Sequence, residues 1–178
     1  MSIVALPLAR TSAHTLSRLH LSLFGAAAVA SALACILASH LVWNWTPSVP
    51  LGLYWLSRGA SPARGELVAF AVPPNVAALV HERRYLPVGA MLVKPVVATA
   101  GDRVCTDGGV LRINGAPFGA VLTEDSAGRP LPHFEGCGPL PEGEAFVASH
   151  HPRSFDSRTF GPVPLRAIRG TVRPLWTY

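Results

Sequence analysis

Lysine is almost absent from this 178-residue chain. Lys94 is the only lysine, and the other fourteen of the fifteen basic residues are arginine. Charged residues of both signs make up only 14% of the chain, and no Lys/Arg-rich run alternates with aromatic residues. Because such runs are the usual signature of a nucleic-acid-binding surface, we expect no nucleic-acid partner.

Cysteine is also scarce, and its spacing carries no metal-binding motif. The three cysteines, Cys35, Cys105 and Cys137, are far apart and form no Cys-x-x-Cys pair. This spacing excludes the common structural zinc sites, and we expect neither a metal nor another cofactor. In an oxidising compartment Cys105 and Cys137 could form a disulfide. The alternative is that both remain unpaired, buried thiols.

Proline and glycine, by contrast, are abundant, with 17 and 16 residues. Short apolar runs between these residues predict strands, and residues 76–85 have apolar side chains at helical spacing. Many short strands with one small helix predict a mainly β fold, built as a barrel-like antiparallel domain. Residues 116–143 are rich in proline and glycine and show little periodicity, so we expect a surface excursion there.

The longest run without Asp, Glu, Lys or Arg covers residues 21–43. As a helix with a rise of 1.5 Å per residue it would be about 34 Å long, which is enough to cross a bilayer core. Trp43 and Trp45 lie at its far end, where aromatic residues favour a membrane interface. The run therefore predicts a transmembrane helix. A cleaved signal peptide is the alternative.

The charges around this run predict its orientation. Arg10 and Arg18 precede it, and no basic residue follows directly. Positive residues favour the cytoplasmic side, so residues 1–20 are predicted to be cytoplasmic and residues 44–178 to form an extracytoplasmic domain. We expect a single-pass protein of the inner (cytoplasmic) membrane with its domain in the periplasm.

Two residues of this domain suggest chemistry. Ser48 lies between Pro47 and Pro50 just after the apolar run, and Lys94 lies within an apolar strand. Arginine stays protonated at any accessible pH, whereas burial lowers the pKa of a lysine until it can act as a base. A serine nucleophile with a neutral lysine base is a known arrangement in hydrolases. The sequence therefore predicts Ser48 and Lys94 as a catalytic dyad.

Three blocks of the chain resemble those of the S26 family of signal peptidases, which are membrane-anchored Ser/Lys proteases. Ser48-Val49-Pro50 resembles the family's nucleophile box. The segment 92–104, which contains Lys94 and ends in Gly-Asp-Arg-Val, resembles its lysine box, and the segment 154–161 resembles its Ser-x-Asp-Ser-Arg box. The order and spacing of the blocks also agree, and the resemblance covers most of residues 20–170.

Details of these blocks resemble the TraF-type branch of the family, the conjugal-transfer peptidases. Residues 50–54 resemble that branch's Pro-x-Gly-Leu-Tyr, Pro95 follows the lysine, and residues 173–176 read Arg-Pro-Leu-Trp. One block departs from the family pattern. The Gly-Asp-Asn that usually precedes the last box is replaced by residues 148–151, Ala-Ser-His-His.

The resemblance implies a fold of the signal peptidase type and further site residues. Thr46 matches a hydroxyl residue that stabilises the oxyanion, together with the backbone N–H of Ser48. Ser154 matches the residue that orients the lysine. Asp156 and Arg158 match a supporting ion pair, and the branch implies a secondary catalytic role for the aspartate.

We expect a serine endopeptidase that processes secreted precursors, with a pilin of a conjugative or type IV secretion system as substrate. In the TraF-type branch an amine can resolve the acyl-enzyme and cyclise the pilin. The expected partners are this precursor, bearing a signal peptide or pilin sequence, and membrane lipid. A general type I signal peptidase and a non-catalytic, membrane-tethered β module of a secretion assembly are the alternatives.

The histidines offer weaker alternatives. His150 or His151 could form a Ser-His-Asp triad with Ser48 and Asp156, but paired histidines in a polar loop are more often solvent-exposed. A metal site from His133, His150 and His151 lacks a close-spaced carboxylate or cysteine ligand.

Overall fold

The computed structural model describes residues 13–59 and 61–178. The chain divides into two compact units, one ending at Ser39 and the other covering His40–Tyr178. Helix α1, Ala13–Ala38, belongs to the first unit. The second unit contains all the strands. Residues 1–12 of the predicted cytoplasmic segment lie outside the described residues.

Only part of the apolar run is helical. Helix α1 ends at Ala38, and Leu41–Asn44 instead form strand β1. Within the described residues no helix is long and apolar enough to cross a membrane, so the span predicted for residues 21–43 is not supported. The boundary at residue 43 is wrong because β1 pairs with a second strand, which buries Val42 and Asn44.

The second unit consists of eleven described strands, two short helices and one 3₁₀ turn at Leu165–Ala167. The helices are α2 (Pro74–Glu82) and α3 (Ser157–Phe160). The strands, in chain order, are β1 (Leu41–Asn44), β2 (Gly52–Ser57), β3 (Leu67–Ala71), β4 (Met91–Ala98), β5 (Arg103–Asp107), β6 (Val110–Ile113), β7 (Ala116–Ala120), β8 (Cys137–Pro139), β9 (Glu144–Val147), β10 (Val163–Pro164) and β11 (Ile168–Thr177).

These strands form two antiparallel sheets. The seven-stranded sheet has the order β1-β2-β11-β3-β4-β9-β10, and the four-stranded sheet has the order β7-β6-β5-β8. The prediction of a mainly antiparallel β fold is confirmed. The predicted barrel is wrong, since neither sheet closes within the described part of the chain. Closure of the larger sheet would need β10 as a partner for β1, but β10 has two residues and Pro164 has no N–H to donate.

Strand β4 lies in the interior, with both faces covered. Leu92 and Val96 pack in one hydrophobic cluster, and Val93 packs in another on the opposite face. Because side chains alternate along a strand, Lys94 shares the face of Leu92 and Val96. Lys94 is fully buried. Strand β4 of the larger sheet therefore places the amine of Lys94 in the protein interior.

The smaller sheet is linked by a disulfide. Cys105 on β5 and Cys137 on β8 stand opposite each other in the strand register and are joined by a disulfide bond. The third cysteine, Cys35 in α1, is free and exposed.

We expect the double variant Cys105→Ser/Cys137→Ser to lose about 3–4 kcal/mol of unfolding free energy. The bond closes a loop of 32 residues, and loss of that constraint gives the unfolded chain more conformational entropy. Urea denaturation of the oxidised protein measures the change. Cys35→Ser is the matched control and should leave the midpoint unchanged. Equal stability of the double variant and the control would contradict a structural role for this disulfide.

Candidate active site

The turn that carries Ser48 connects β1 to β2 and is organised by a buried asparagine. The side-chain amide of Asn44 donates to the carbonyls of Thr46, Val49 and Pro50 at 2.8–3.1 Å. Its side-chain oxygen accepts the backbone N–H of Thr46 at 3.2 Å. Asn44 is 1% exposed, so one amide satisfies backbone groups on both sides of Ser48 away from water. Asn44 therefore sets the shape of this turn.

The residues that follow Ser48 connect this turn to the larger sheet. The Tyr54 hydroxyl donates to the Pro50 carbonyl at 2.6 Å, and burial raises the pKa of Tyr54. Gly52 has φ +139°, and a Cβ there would lie 2.1 Å from the carbonyl oxygen of Trp176 on β11. A larger residue at position 52 would therefore force β11 away from β2. These contacts give the Pro-x-Gly-Leu-Tyr pattern a structural role.

Lys94 reaches Ser48 from β4. Its Nζ donates to the Ser48 Oγ and, at 3.1 Å, to the Ser154 Oγ. The Ser154 hydroxyl also lies 3.1 Å from the Ser48 Oγ, so the amine and the two hydroxyls form a closed triangle. Such a triangle fixes the amine nitrogen beside the hydroxyl that it would have to deprotonate.

The electrostatic surroundings of Lys94 favour its neutral form. Burial lowers the pKa of Lys94 from 10.5 to about 8. The nearby Asp156 carboxylate acts in the opposite direction and raises it, while the Arg158 guanidinium lowers it. Desolvation is the largest of these effects, because an ammonium ion loses its hydration in an apolar interior.

Asp156 and Arg158 form a buried ion pair behind the triangle. The guanidinium binds the carboxylate in a bidentate manner at 2.9 and 2.8 Å, and both side chains are at most 5% exposed. Asp156 also caps α3 by accepting the backbone N–H of Arg158 at 3.1 Å. The guanidinium also donates to the carbonyls of Ala120, Ser149 and His151. The pair thus joins α3 to two neighbouring segments.

Ser149 connects this ion pair to the nucleophile turn. Its hydroxyl donates to the backbone carbonyl of Ser48. Its backbone N–H donates to the Asp156 carboxylate at 3.1 Å, and its carbonyl accepts from Arg158 at 2.9 Å. Ser149 is 3% exposed. A continuous set of buried hydrogen bonds therefore runs from Asp156 and Arg158 to the backbone of Ser48.

A cavity of about 340 Å³ opens beside the triangle. Ser48 and Lys94 line it together with the loop that carries Ser154, and residues between Ala120 and Leu131 line its other side. The nucleophile therefore faces a space that a peptide could enter, and the buried amine lies in contact with it. No cluster of three or more potential metal ligands is found among the described residues.

Sequence profiles identify the family. The profile described as "Signal peptidase, peptidase S26" matches residues 14–176. The chain is a member of the S26 signal peptidase family. Its members are serine peptidases, and this class agrees with a site in which a serine hydroxyl contacts a buried lysine.

Several relatives place this S26 peptidase in the TraF-type branch. It is 37% identical over 172 residues to a plasmid transfer protein TraF of Escherichia coli, covering 89% of this chain and 95% of the relative. It is also 37% identical over 145 residues to a conjugal transfer protein TraF of Agrobacterium fabrum, covering 76% and 81%. A solved signal peptidase I from Enterococcus faecalis is 27% identical, covers 66% of this chain and 100% of its own, and has a TM-score of 0.39.

The remaining candidate residues of this S26 peptidase are Thr46, His150 and His151, and each contacts a partner other than Ser48 or Lys94. The Thr46 hydroxyl lines the cavity but donates to the Asn44 side chain at 3.3 Å. His151 also lines the cavity, and its Nδ1 accepts the backbone N–H of Arg153. His150 stacks on Phe118 at 4.6 Å, beside a different cavity. The carboxylate of Asp156 is occupied by Arg158 and backbone donors, which leaves the alternative Ser-His-Asp triad without support.

We expect Lys94 to titrate with a midpoint near 8 in the folded S26 peptidase. A ¹³C label at the lysine ε-carbon reports this residue alone, because the chain has one lysine. Burial of the ammonium lowers the pKa, and Asp156→Asn should lower it further by removing the carboxylate that favours the charged form. The NMR titration of both proteins measures the midpoints. A wild-type midpoint at 10.5 would contradict the buried amine.

Proposed function

We propose that this S26 peptidase cuts a precursor protein with Ser48 as nucleophile and Lys94 as general base. The observation that carries the proposal is the fully buried Lys94, whose amine contacts the Ser48 hydroxyl and whose pKa is lowered to about 8. A lysine buried for structural reasons alone would have no reason to contact the hydroxyl of a serine that lines an open cavity.

The proposed reaction has two steps. Neutral Lys94 takes the proton of the Ser48 hydroxyl while its oxygen attacks the scissile carbonyl. The resulting ammonium returns the proton to the leaving amine, which departs and leaves an acyl-enzyme on Ser48. Water or an amine then attacks the ester carbonyl and gives its proton to Lys94; the bond from the carbonyl carbon to the Ser48 oxygen breaks, and Lys94 returns the proton to that oxygen. Ser154 orients the amine through its hydrogen bonds to both groups.

After attack by Ser48 the carbonyl oxygen of the scissile bond becomes an oxyanion, which requires hydrogen-bond donors. The backbone N–H of Ser48 is the first, because it belongs to the nucleophile itself. The Thr46 hydroxyl is a second, and it would exchange its 3.3 Å bond to Asn44 for the oxyanion. In other hydrolases one such donor contributes about 3 kcal/mol to the stability of the transition state.

Asp156 acts through the amine of Lys94, since its charge raises the pKa of Lys94.

We further propose a pilin precursor of a conjugative or type IV secretion apparatus as the substrate. The names of the relatives, plasmid transfer and conjugal transfer protein TraF, support this choice. Attack by an amine of the same pilin chain would cyclise it, whereas attack by water would give a linear product. A general signal peptidase would instead cut many secretory precursors.

We expect Ser48→Ala, Lys94→Ala and Lys94→Arg each to reduce cleavage of a pilin precursor by about 10⁴-fold or more, since nucleophile and base act as a unit. Arginine cannot serve as the base because it stays protonated. The wild-type kcat/KM should rise about tenfold per pH unit below pH 8 and level off above it, as Lys94 becomes neutral. Mass spectrometry of the products measures cleavage and separates the cyclic product from the linear one by the mass of one water.

Ser61→Ala, at an exposed loop position, is the matched control and should cleave as the wild type does. An active Lys94→Arg protein would exclude lysine as the base. Equal cleavage of ordinary secretory precursors by the wild type would favour the general signal peptidase. If no precursor is cut by any form, the non-catalytic module becomes the better explanation.

For localisation, we propose that the second unit works in the periplasm, against the lipid of the inner membrane. The disulfide between Cys105 and Cys137 supports an oxidising compartment. An aromatic patch of Trp43, Trp45 and Trp176 supports lipid contact, because Trp45 is 53% and Trp176 58% exposed, and both rings lie within about 6 Å of Trp43. Indole rings favour the membrane interface.

We expect Trp45→Ala/Trp176→Ala to weaken binding of the full chain to phosphatidylglycerol-containing vesicles by about tenfold or more, because two interfacial indoles are lost. Vesicle sedimentation measures the partition coefficient. Trp55→Phe is the control, since Trp55 stacks on His40, is only partly exposed and keeps an aromatic ring in this variant. Equal binding of the double variant and the wild type would exclude this patch as the lipid contact.

A further inference from the structure

The loop at residues 122–131 lies within the segment whose role the sequence left open, and it forms one side of the cavity at Ser48 and Lys94. Leu122 and Leu131, at its two ends, line the cavity and are partly exposed. Phe155, next to Ser154, lines the same cavity. A group bound at the nucleophile would therefore meet apolar side chains of this loop.

The loop has a defined internal structure. The backbone N–H of Leu131 donates to the Thr123 carbonyl at 2.7 Å, and Glu124 and Pro130 form an antiparallel bridge. Between them Asp125 closes a turn, because its Oδ1 accepts the backbone N–H of Ala127 at 2.9 Å and that of Arg129 at 3.0 Å. The two leucines are thus held at the two ends of a hydrogen-bonded loop.

Asp125 also fixes the loop to the segment that follows α2. Its Oδ2 accepts the Tyr85 hydroxyl at 2.5 Å, Arg83 at 3.1 Å and the Nε of Arg129 at 2.7 Å. The Asp125 side chain is only 6% exposed. Burial alone would raise its pKa, but these donors, with Tyr85 first, lower it below the usual range. Charge-assisted hydrogen bonds of this kind are the stronger ones in proteins.

We propose that the 122–131 loop selects the substrate: an apolar side chain of the precursor, close to the scissile bond, packs between Leu122 and Leu131, and Asp125 positions the loop for this contact. The proposal rests on the proposed peptidase function, because the occupant of the cavity is the peptide that Ser48 attacks. Glu124 and Arg153 also line the cavity, so the apolar preference is expected only at the peptide position whose side chain lies between the two leucines, where a charged group would lose its hydration.

Asp125 is a positioning residue in this scheme, and its carboxylate is fully used by donors from the loop, Tyr85 and Arg83. Loss of its charge would loosen the loop and leave Lys94 unchanged, because Asp125 is not among the groups that shift the pKa of Lys94. The two leucines, in contrast, would contact the substrate itself. Substitution of a leucine should therefore change which substrate residue is preferred, whereas substitution of Asp125 should change KM.

The test uses the full-length protein and a fluorogenic octapeptide library in which each position is varied in turn. We expect Leu131→Ala to favour larger apolar residues, and Leu131→Trp smaller ones, at a single peptide position, with the other positions unchanged. Asp125→Asn should lower kcat/KM by about 10- to 100-fold, mainly through KM, because the loop loses its fixed position. The Lys94 titration should keep its midpoint near 8 in all three variants.

Asp107→Asn is the matched control, since this aspartate also faces an arginine, Arg112 at 3.7 Å, but is 77% exposed and does not line the cavity. Unchanged preferences in both Leu131 variants, with an active wild type, would overturn the proposal and leave the proposed function intact. A wild type that cuts no peptide or precursor would overturn the proposed function and this proposal with it. An Asp125→Asn protein with normal KM would exclude the positioning role.

Discussion

The burial of one amine is the constraint on which the rest of this structure depends. Lys94 sits on a central strand, in line with Leu92 and Val96, and has no exposed surface. An isolated ammonium would be costly there, so the lysine is stable when it is neutral or hydrogen-bonded. The hydroxyls of Ser48 and Ser154 supply those bonds. Burial in the core thus lowers the pKa of Lys94, and strand β4 holds its amine in contact with the Ser48 hydroxyl.

A second constraint is the balance of charge around that amine. Asp156 by itself favours the protonated form of Lys94, because an opposite charge stabilises the ammonium. The bidentate bond to Arg158 places a positive charge beside the same carboxylate, and the two residues shift the pKa of Lys94 in opposite directions. The ion pair can therefore support α3 and the 149–154 segment without cancelling the effect of burial. Removing either partner would leave a buried charge unpaired, which costs about 3–5 kcal/mol in other proteins.

The backbone of the nucleophile turn is held by neutral side chains. Asn44 bonds to carbonyls on both sides of Ser48, and Ser149 bonds to the carbonyl of Ser48 itself. In the part of the chain that is described, no buried side-chain nitrogen or oxygen lacks a hydrogen-bond partner. A fully satisfied polar network of this kind is rigid, because each bond broken would leave a polar group without water.

The residue types and their local order were enough to select Ser48, Lys94, Ser154, Asp156 and Arg158, because a lone lysine in an apolar strand and three short blocks are visible without a fold. They also suggested the strands and the pairing of the two cysteines. Only the tertiary structure placed Asn44, Ser149 and the 122–131 loop beside the site, since their partners are up to 101 residues away or are backbone groups that no side-chain pattern reveals. It also decided against a helix that continues to residue 43 and against a closed barrel. Apolar character is shared by helices and strands, and the choice between them at Leu41–Asn44 depends on whether another strand is there to pair with.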